Sequence, residues 1–293
     1  MAERGSLVRR ESLQPSEFQG IFIPTVTPFK KMGNQTHLDL PSHIRHIRYL
    51  ADPLSQASGL FLGSNAGQGR DMSLGILKLS ISTGIETVRK TNHDLPVVVG
   101  ALRSSLSEVI EVVEFAEISG ADAIVIAPGL TKGVASDILK IISEITDLPI
   151  IIYNNPGFQE RRDLPLEFLK EAAENPKVIG IKDTSGKEEY FQEVLNIFHA
   201  RGKKVMQGDT KAGLKRSILD ADGMVPVEAN LYPRILAEIF DRSHNYQYPN
   251  DLEKVLQLIG QAKGDFGGTT GYIIHRLCEE GIFESEQTYP KEN

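Results

Sequence analysis

Leu95-Pro96-Val97-Val98-Val99-Gly100 is an apolar run of strand length, and a second, Ala123-Ile124-Val125-Ile126-Ala127, follows it after Gly120-Ala121-Asp122. Near-continuous apolarity of this kind marks a parallel strand covered on both faces. Between the runs, Glu108, Val109, Val112, Val113, Ala116 and Glu117 recur at helical spacing. That spacing sets an apolar stripe against a sheet and carboxylates toward water. Ser105 or Ser107 is placed to cap this helix, and Gly120 to close it. The segment therefore reads as strand, helix, strand.

Outward from it the same alternation recurs, with buried runs at residues 20–26, 59–62, 95–100, 123–127, 148–153, 178–182, 204–207 and 223–227. None of these runs is flanked by a hairpin turn signal, and Ala221-Asp222-Gly223 repeats the closing Ala-Asp pattern before the last. Eight such units predict an α/β chain folded as a (β/α)8 TIM barrel. A doubly wound open sheet is the alternative, and no dinucleotide fingerprint supports it. The predicted organisation is a flexible N-terminal tail at 1–17, a barrel at 18–242 and a small C-terminal helical appendage at 243–293. A polar break at 243–250 and helical sequence at 251–263 and 271–280 define the appendage, with 285–293 expected to fray. Gly267-Gly268-Thr269-Thr270-Gly271 reads as a helix start rather than a phosphate loop.

The chain has 293 residues and a formal charge of -7. That charge argues against a nucleic-acid binder, which would present a basic face. No apolar stretch approaches the roughly 20 residues of a membrane span, so no membrane partner is expected, and the N-terminal residues lack the apolar core of a secretory signal. Cys278 is the single cysteine. It excludes an internal disulfide and multi-cysteine zinc patterns, and it points to a reducing, cytoplasmic setting. No metal and no cofactor is expected.

In a barrel the C-terminal ends of the strands face the active site, so the residues closing each run deserve inspection first. Val178-Ile179-Gly180-Ile181-Lys182 ends in a lysine at the barrel mouth. A charged ammonium loses hydration there, and a neutral amine can attack a carbonyl. The competing reading is a lysine stem snorkelling to solvent. Pro149-Ile150-Ile151-Ile152-Tyr153 ends, on the neighbouring strand, in a phenol able to exchange protons with a lysine-bound intermediate, unless it is a core tyrosine with a satisfied hydroxyl. Gly63-Ser64-Asn65-Ala66-Gly67-Gln68-Gly69 is a small-residue turn whose N–H groups and short polar side chains can hold a carboxylate, or else only a tight turn. Glu228 stands at the rim of the eighth strand, to read a substrate hydroxyl, act as a base, or cap the following helix. His37, His43, His46 and His199 lack a partner pattern and read as surface or core histidines.

Taken in order, Thr27-Pro28-Phe29, Gly63-Ser64-Asn65 with Gly67, Tyr153-Asn154-Asn155-Pro156, Gly180-Ile181-Lys182-Asp183-Thr184-Ser185-Gly186 and Ala229-Asn230 form a pattern. With it the chain resembles the class I pyruvate-dependent aldolases and lyases of the dihydrodipicolinate synthase and N-acetylneuraminate lyase group. The likeness implies that Lys182 forms a Schiff base with the 2-oxo carbon of pyruvate or a pyruvate-like substrate and that Tyr153 relays protons. It also implies that Ser64 and Asn65 bind the substrate carboxylate; Gly63, Val225 and Glu228 complete the expected substrate-binding set. The implied partners are a small 2-oxo acid and an aldehyde, and the implied assembly is a homo-oligomer, dimer or tetramer.

Departures from the group's pattern narrow the choice of reaction. Gly157-Phe158-Gln159-Glu160 stands where the synthases carry an arginine that grips the second substrate's carboxylate, leaving Arg161 or Arg162 to reach in. Leu130 lies where they carry a relay tyrosine, and Gln68 where the group usually has glutamate. The Gly-Ser-Asn opening resembles the 4-hydroxy-2-oxoglutarate aldolase and sugar-acid aldolase branch, so the expected activity is a 2-oxo-acid aldolase. The alternatives are condensation or dehydration of the dihydrodipicolinate synthase type, and a non-catalytic barrel that binds an oxo acid.

Overall fold

A computed structural model describes residues 10, 12–129, 131–157, 160–209, 220–244, 266 and 268–290. Strands β1 (Gly20–Pro24), β4 (Gly59–Leu62), β5 (Val97–Gly100), β6 (Ala123–Ile126), β7 (Ile150–Asn154), β8 (Val178–Asp183), β9 (Lys204–Gln207) and β10 (Gly223–Met224) close into one parallel barrel. The last strand, β10, pairs with β9 on one side and β1 on the other. Helices α1 (Leu40–Ala51), α2 (Leu74–Thr91), α3 (Leu106–Ser119), α4 (Lys132–Ile145), α5 (Leu166–Glu174), α6 (Glu188–His199) and α7 (Pro233–His244) alternate with the strands. Ser105, not Ser107, caps α3: its hydroxyl accepts the Glu108 N–H at 3.3 Å, and Gly120 ends the helix at φ +85°.

The strands' two-residue period divides the core into two layers. Val97, Val99, Ile124, Ile126, Ile150 and Ile152 pack outward with the helices. Val98, Val125, Ile151, Tyr153, Met206 and Val225 fill the barrel interior. Between β7 and β8 the register shifts: Ile150 pairs with Val178 and Ile151 with Gly180, leaving Ile179 as an extra residue. Beyond that bulge Tyr153 stands directly beside Lys182.

Four expectations need adjustment. Within the tail expected at 1–17 Leu13 is anchored: Leu13 (1% exposed) and Phe18 plug the base of the barrel, and the Leu13 N–H donates to the Asp122 carbonyl at 3.0 Å. A hairpin, β2 (Phe29–Met32) against β3 (Gln35–Leu38), turns at Gly33 (φ +62°) between β1 and α1. Its Lys30, Lys31, Gln35 and Thr36 are not buried, so no apolar pattern announced it. Helix α7 runs to His244, past the expected boundary at 242. Residues 285–290 do not fray as a unit, since Tyr289 packs against the barrel core. Of the appendage, α8 (Thr269–Glu279) begins after Gly268 and packs Ile273, Ile274 and Leu277 against Val26 and Leu231 of the barrel. The helix expected at 251–263 lies outside the described residues, as do Leu130, Phe158 and Gln159. No helix among the described residues is long and apolar enough to cross a membrane.

Among the histidines, His43 and His46 are core residues of α1. Burial holds them at about 4 and about 3, well below the usual 6.5. His199 does have a partner, Asp222, at 2.9 Å.

Candidate active site

Lys182 ends the apolar stretch of β8 with its side chain turned into the barrel mouth, 7% exposed. Its Nζ lies 4.4 Å from the centre of the Tyr153 ring and 5.4 Å from that of Phe61. Among the described residues its Nζ has no ion pair and no hydrogen bond. Aromatic faces stabilise a cation only modestly, so the amine is held in place without being tied up by a carboxylate. Gly208, just after β9, makes the room: a Cβ there would stand 2.8 Å from Lys182 Cε. The snorkelling alternative is excluded by this burial.

Tyr153 is buried and its hydroxyl accepts the Asn155 side-chain N–H at 2.8 Å. Behind the pair a polar network sets the strand ends. Asn154 Nδ2 donates to Asp183 at 2.6 Å and to Asp163 at 3.1 Å, and the Ser185 hydroxyl donates to Asp183 at 2.6 Å. Burial pushes Asp183 up to about 6 against the pull of those donors, with Asp163 raising it further.

On the β4 side Ser64 is fully buried; its hydroxyl donates to the Thr25 carbonyl at 3.2 Å and accepts the Gly67 N–H at 3.1 Å. Gly63 takes φ +62°, where a Cβ would press on Gly100 and Leu77 of the neighbouring elements. Asn65 stands exposed on the turn, its carbonyl accepting from the Gln68 N–H. Val225 lines the interior with Tyr153 and Phe61, and Glu228 is buried in the single turn Val227–Asn230. Next to it Asn230 closes the barrel: its Oδ1 accepts the Val26 N–H and its Nδ2 donates to the carbonyls of Pro24 and Val227.

The strands thus bring Lys182, Tyr153 and Val225 together, with Ser64 and Gly63 three and two residues beyond Phe61 on β4. Phe61, Asn155 and Gly208 were not foreseen as site residues. Gly208 and Asn155 each follow a predicted strand within two residues, so inspection of every rim position would have reached them.

The Dihydrodipicolinate synthetase family model matches residues 17–262. The chain belongs to this family. It is a Schiff-base lyase family whose members act on pyruvate, and the fold and the rim lysine agree with that membership. A 4-hydroxy-tetrahydrodipicolinate synthase of Methanospirillum hungatei is 26% identical over 79% of this chain and 78% of its own length. An uncharacterized DapA-like lyase of Thermococcus kodakarensis is 28% identical over 80% and 79%. Among solved structures, dihydrodipicolinate synthase from Bacteroides thetaiotaomicron superposes with a TM-score of 0.82 at 24% identity, covering 94% of both chains. A prophage protein of the same family from E. coli K12, solved with pyruvate, gives a TM-score of 0.82 at 21% identity over 94% of this chain and 93% of its own.

Proposed function

We propose that this family member is a 2-oxo-acid aldolase in which Lys182 is the imine-forming lysine. The observation that carries the reading is the Lys182 amine, buried over the Tyr153 ring at the C-terminal end of a barrel strand with no ion pair among the described residues. Lys182 Nζ adds to the 2-oxo carbon, and water leaves to give a protonated imine. As the C4 hydroxyl gives up its proton, the electron pair of the C3–C4 bond flows into that imine and the aldehyde departs; the enamine takes up a proton at C3, and water hydrolyses the resulting imine to release pyruvate and free Lys182. Tyr153 moves the protons of these steps, oriented by Asn155. Gly63, Ser64 and Asn65 receive the carboxylate, Val225 and Phe61 wall the pyruvyl carbons, and Glu228 reads a substrate hydroxyl or acts as a base.

The choice of aldolase over condensation with aspartate semialdehyde is supported by the residues after Pro156. Arg161 and Arg162 are both exposed, and Arg162 bonds Glu160 at the surface. A substrate carboxylate without a bidentate partner loses on the order of 2 to 5 kcal/mol. The synthase reading is favoured by the relatives that carry that name. Assays of pyruvate with aspartate semialdehyde, against pyruvate with glyoxylate or sugar aldehydes, separate the two. We expect turnover with the second group and poor turnover with aspartate semialdehyde; efficient turnover of aspartate semialdehyde makes the enzyme a synthase. Cys278, a free thiol, accords with a cytoplasmic setting, and exposed Ile118 and Leu54 are apolar side chains that a dimer or tetramer contact would cover.

A further inference from the structure

The loop after β4 is gripped from two sides, and the outer grip comes from the far end of the chain. On the inner side Arg103 Nη1 donates to the carbonyls of Gly69 (3.0 Å), Arg70 (2.7 Å) and Met72 (2.8 Å). On the outer side the chain turns at Gly281 (φ +71°) just beyond α8, Phe283 is buried with its ring 5.1 Å from that of His46, and the chain runs on to Tyr289. There Gln68 and Tyr289 pair in both directions. Gln68 Oε1 accepts the Tyr289 N–H at 2.9 Å, and Gln68 Nε2 donates to the Tyr289 carbonyl at 3.0 Å. The Tyr289 hydroxyl accepts the Ser73 N–H at 3.2 Å, and its ring lies 5.4 Å from Phe29.

Gln68 itself sits at φ +58°, a conformation that non-glycine residues avoid unless their surroundings hold them there. Its N–H donates to the Asn65 carbonyl, and its own carbonyl accepts from Asp71 and Met72. The setting of this one residue therefore fixes the turn that carries Ser64 and Asn65.

We propose that Gln68 is a positioning residue and that residues 283–289 form a strap, which through the Gln68–Tyr289 pair holds the 63–69 loop ready for the substrate's carboxylate. The proposal rests on the reading that this loop binds that carboxylate. An amide side chain carries both a donor and an acceptor, so it matches a backbone N–H and C=O together, whereas a carboxylate would set oxygen against the Tyr289 carbonyl. With the strap released, the receptive loop conformation becomes one of several, and apparent affinity falls in proportion to its population. Beyond Gln68 and Ser73, the strap's bonds reach Ser42, Arg45 and His275, and its rings pack on Phe29 and His46; none of these lies on β7 or β8. Chemistry after binding is left untouched.

The test is the rate of borohydride trapping as a function of pyruvate concentration in Gln68→Ala, Gln68→Glu, Tyr289→Ala, the Gln68→Ala/Tyr289→Ala double variant and Ser64→Ala, with thermal unfolding followed in each. Gln68→Ala and Tyr289→Ala should each raise half-saturating pyruvate about tenfold while the saturated rate stays within about twofold. The double variant should be no worse than either single one, because both cut the same link, and Gln68→Glu should behave as Gln68→Ala. Unchanged half-saturation in both single variants, a defect confined to the melting temperature, or effects that multiply in the double variant would overturn the strap. If Ser64→Ala raises half-saturation while the two single variants do not, the strap alone fails. If none of the three raises it, the carboxylate reading fails with it.

Discussion

The two ends of the barrel treat buried charge in opposite ways. At the base, Asp122 accepts the Val97 N–H at 2.6 Å and pairs with Arg89 at 2.7 Å, both side chains almost wholly buried. Across the barrel Asp222 does the same for Val205, at 2.8 Å, and for Lys204 and His199, at 2.7 and 2.9 Å. Each carboxylate starts a strand and neutralises a cation, and Leu13 and Phe18 seal the space between. At the mouth, Lys182 is as deeply placed but lacks an ion pair among the described residues. The base spends its charges on stability; in the proposed function the mouth keeps an amine for the substrate. Substitutions at the two ends should therefore fail in different assays.

The largest effect is expected from Tyr153→Phe. A positioned acid–base group is worth about a hundred to ten thousand fold in rate, so turnover should fall within that range with the fold intact and pyruvate binding only slightly weakened. Single-turnover measurements of imine formation and of carbon–carbon cleavage locate the step. A defect found in Glu228→Gln and absent from Tyr153→Phe would move the proton-carrying role to Glu228.

At the base, Asp122→Ala leaves Arg89 buried without its carboxylate and the Val97 N–H without its acceptor. Breaking one side of a buried pair costs roughly 3 to 5 kcal/mol, which denaturant unfolding would register while half-saturating pyruvate stays as in the parent. A change in half-saturation without loss of stability would break the division between the two ends.

A smaller effect concerns acid. His43 and His46, held at about 4 and about 3 when folded, regain 6.5 on unfolding, so the unfolded chain binds two more protons between pH 4 and 6. Asp183, at about 6 when folded and 3.8 otherwise, returns one of them. Stability from these groups is therefore full above pH 6.5 and falls on acidification by about 1.4 kcal/mol per pH unit for the net proton. Unfolding free energies across that window should show this slope, and His46→Gln should flatten it.

How much of this was legible in the sequence follows from burial. Strands covered on both faces become unbroken Val and Ile runs, as at Val97–Gly100 and Ala123–Ile126, and these are visible without any partner. The hairpin at Phe29–Leu38 buries only its two end residues, Phe29 and Leu38, and left no such trace. Lys182 and Tyr153 were legible because a polar side chain closing an apolar strand is conspicuous. Gly208 was not, since what it contributes is the absence of a side chain beside Lys182. The plug at Leu13 and the strap at Tyr289 depend on contacts between remote parts of the chain, 221 residues apart for Gln68 and Tyr289, and local pattern carries no record of those.

Borohydride reduction in the presence of pyruvate, read by intact mass and then by peptide mapping, measures most directly whether the mouth of the barrel holds a reactive lysine. One pyruvyl adduct per chain is expected, on the peptide carrying Lys182, and Lys182→Arg should abolish it while the protein melts as the parent does, because a guanidinium stays protonated and cannot attack. An absent adduct, or one that maps to Lys204 or Lys132, would contradict the assignment of Lys182.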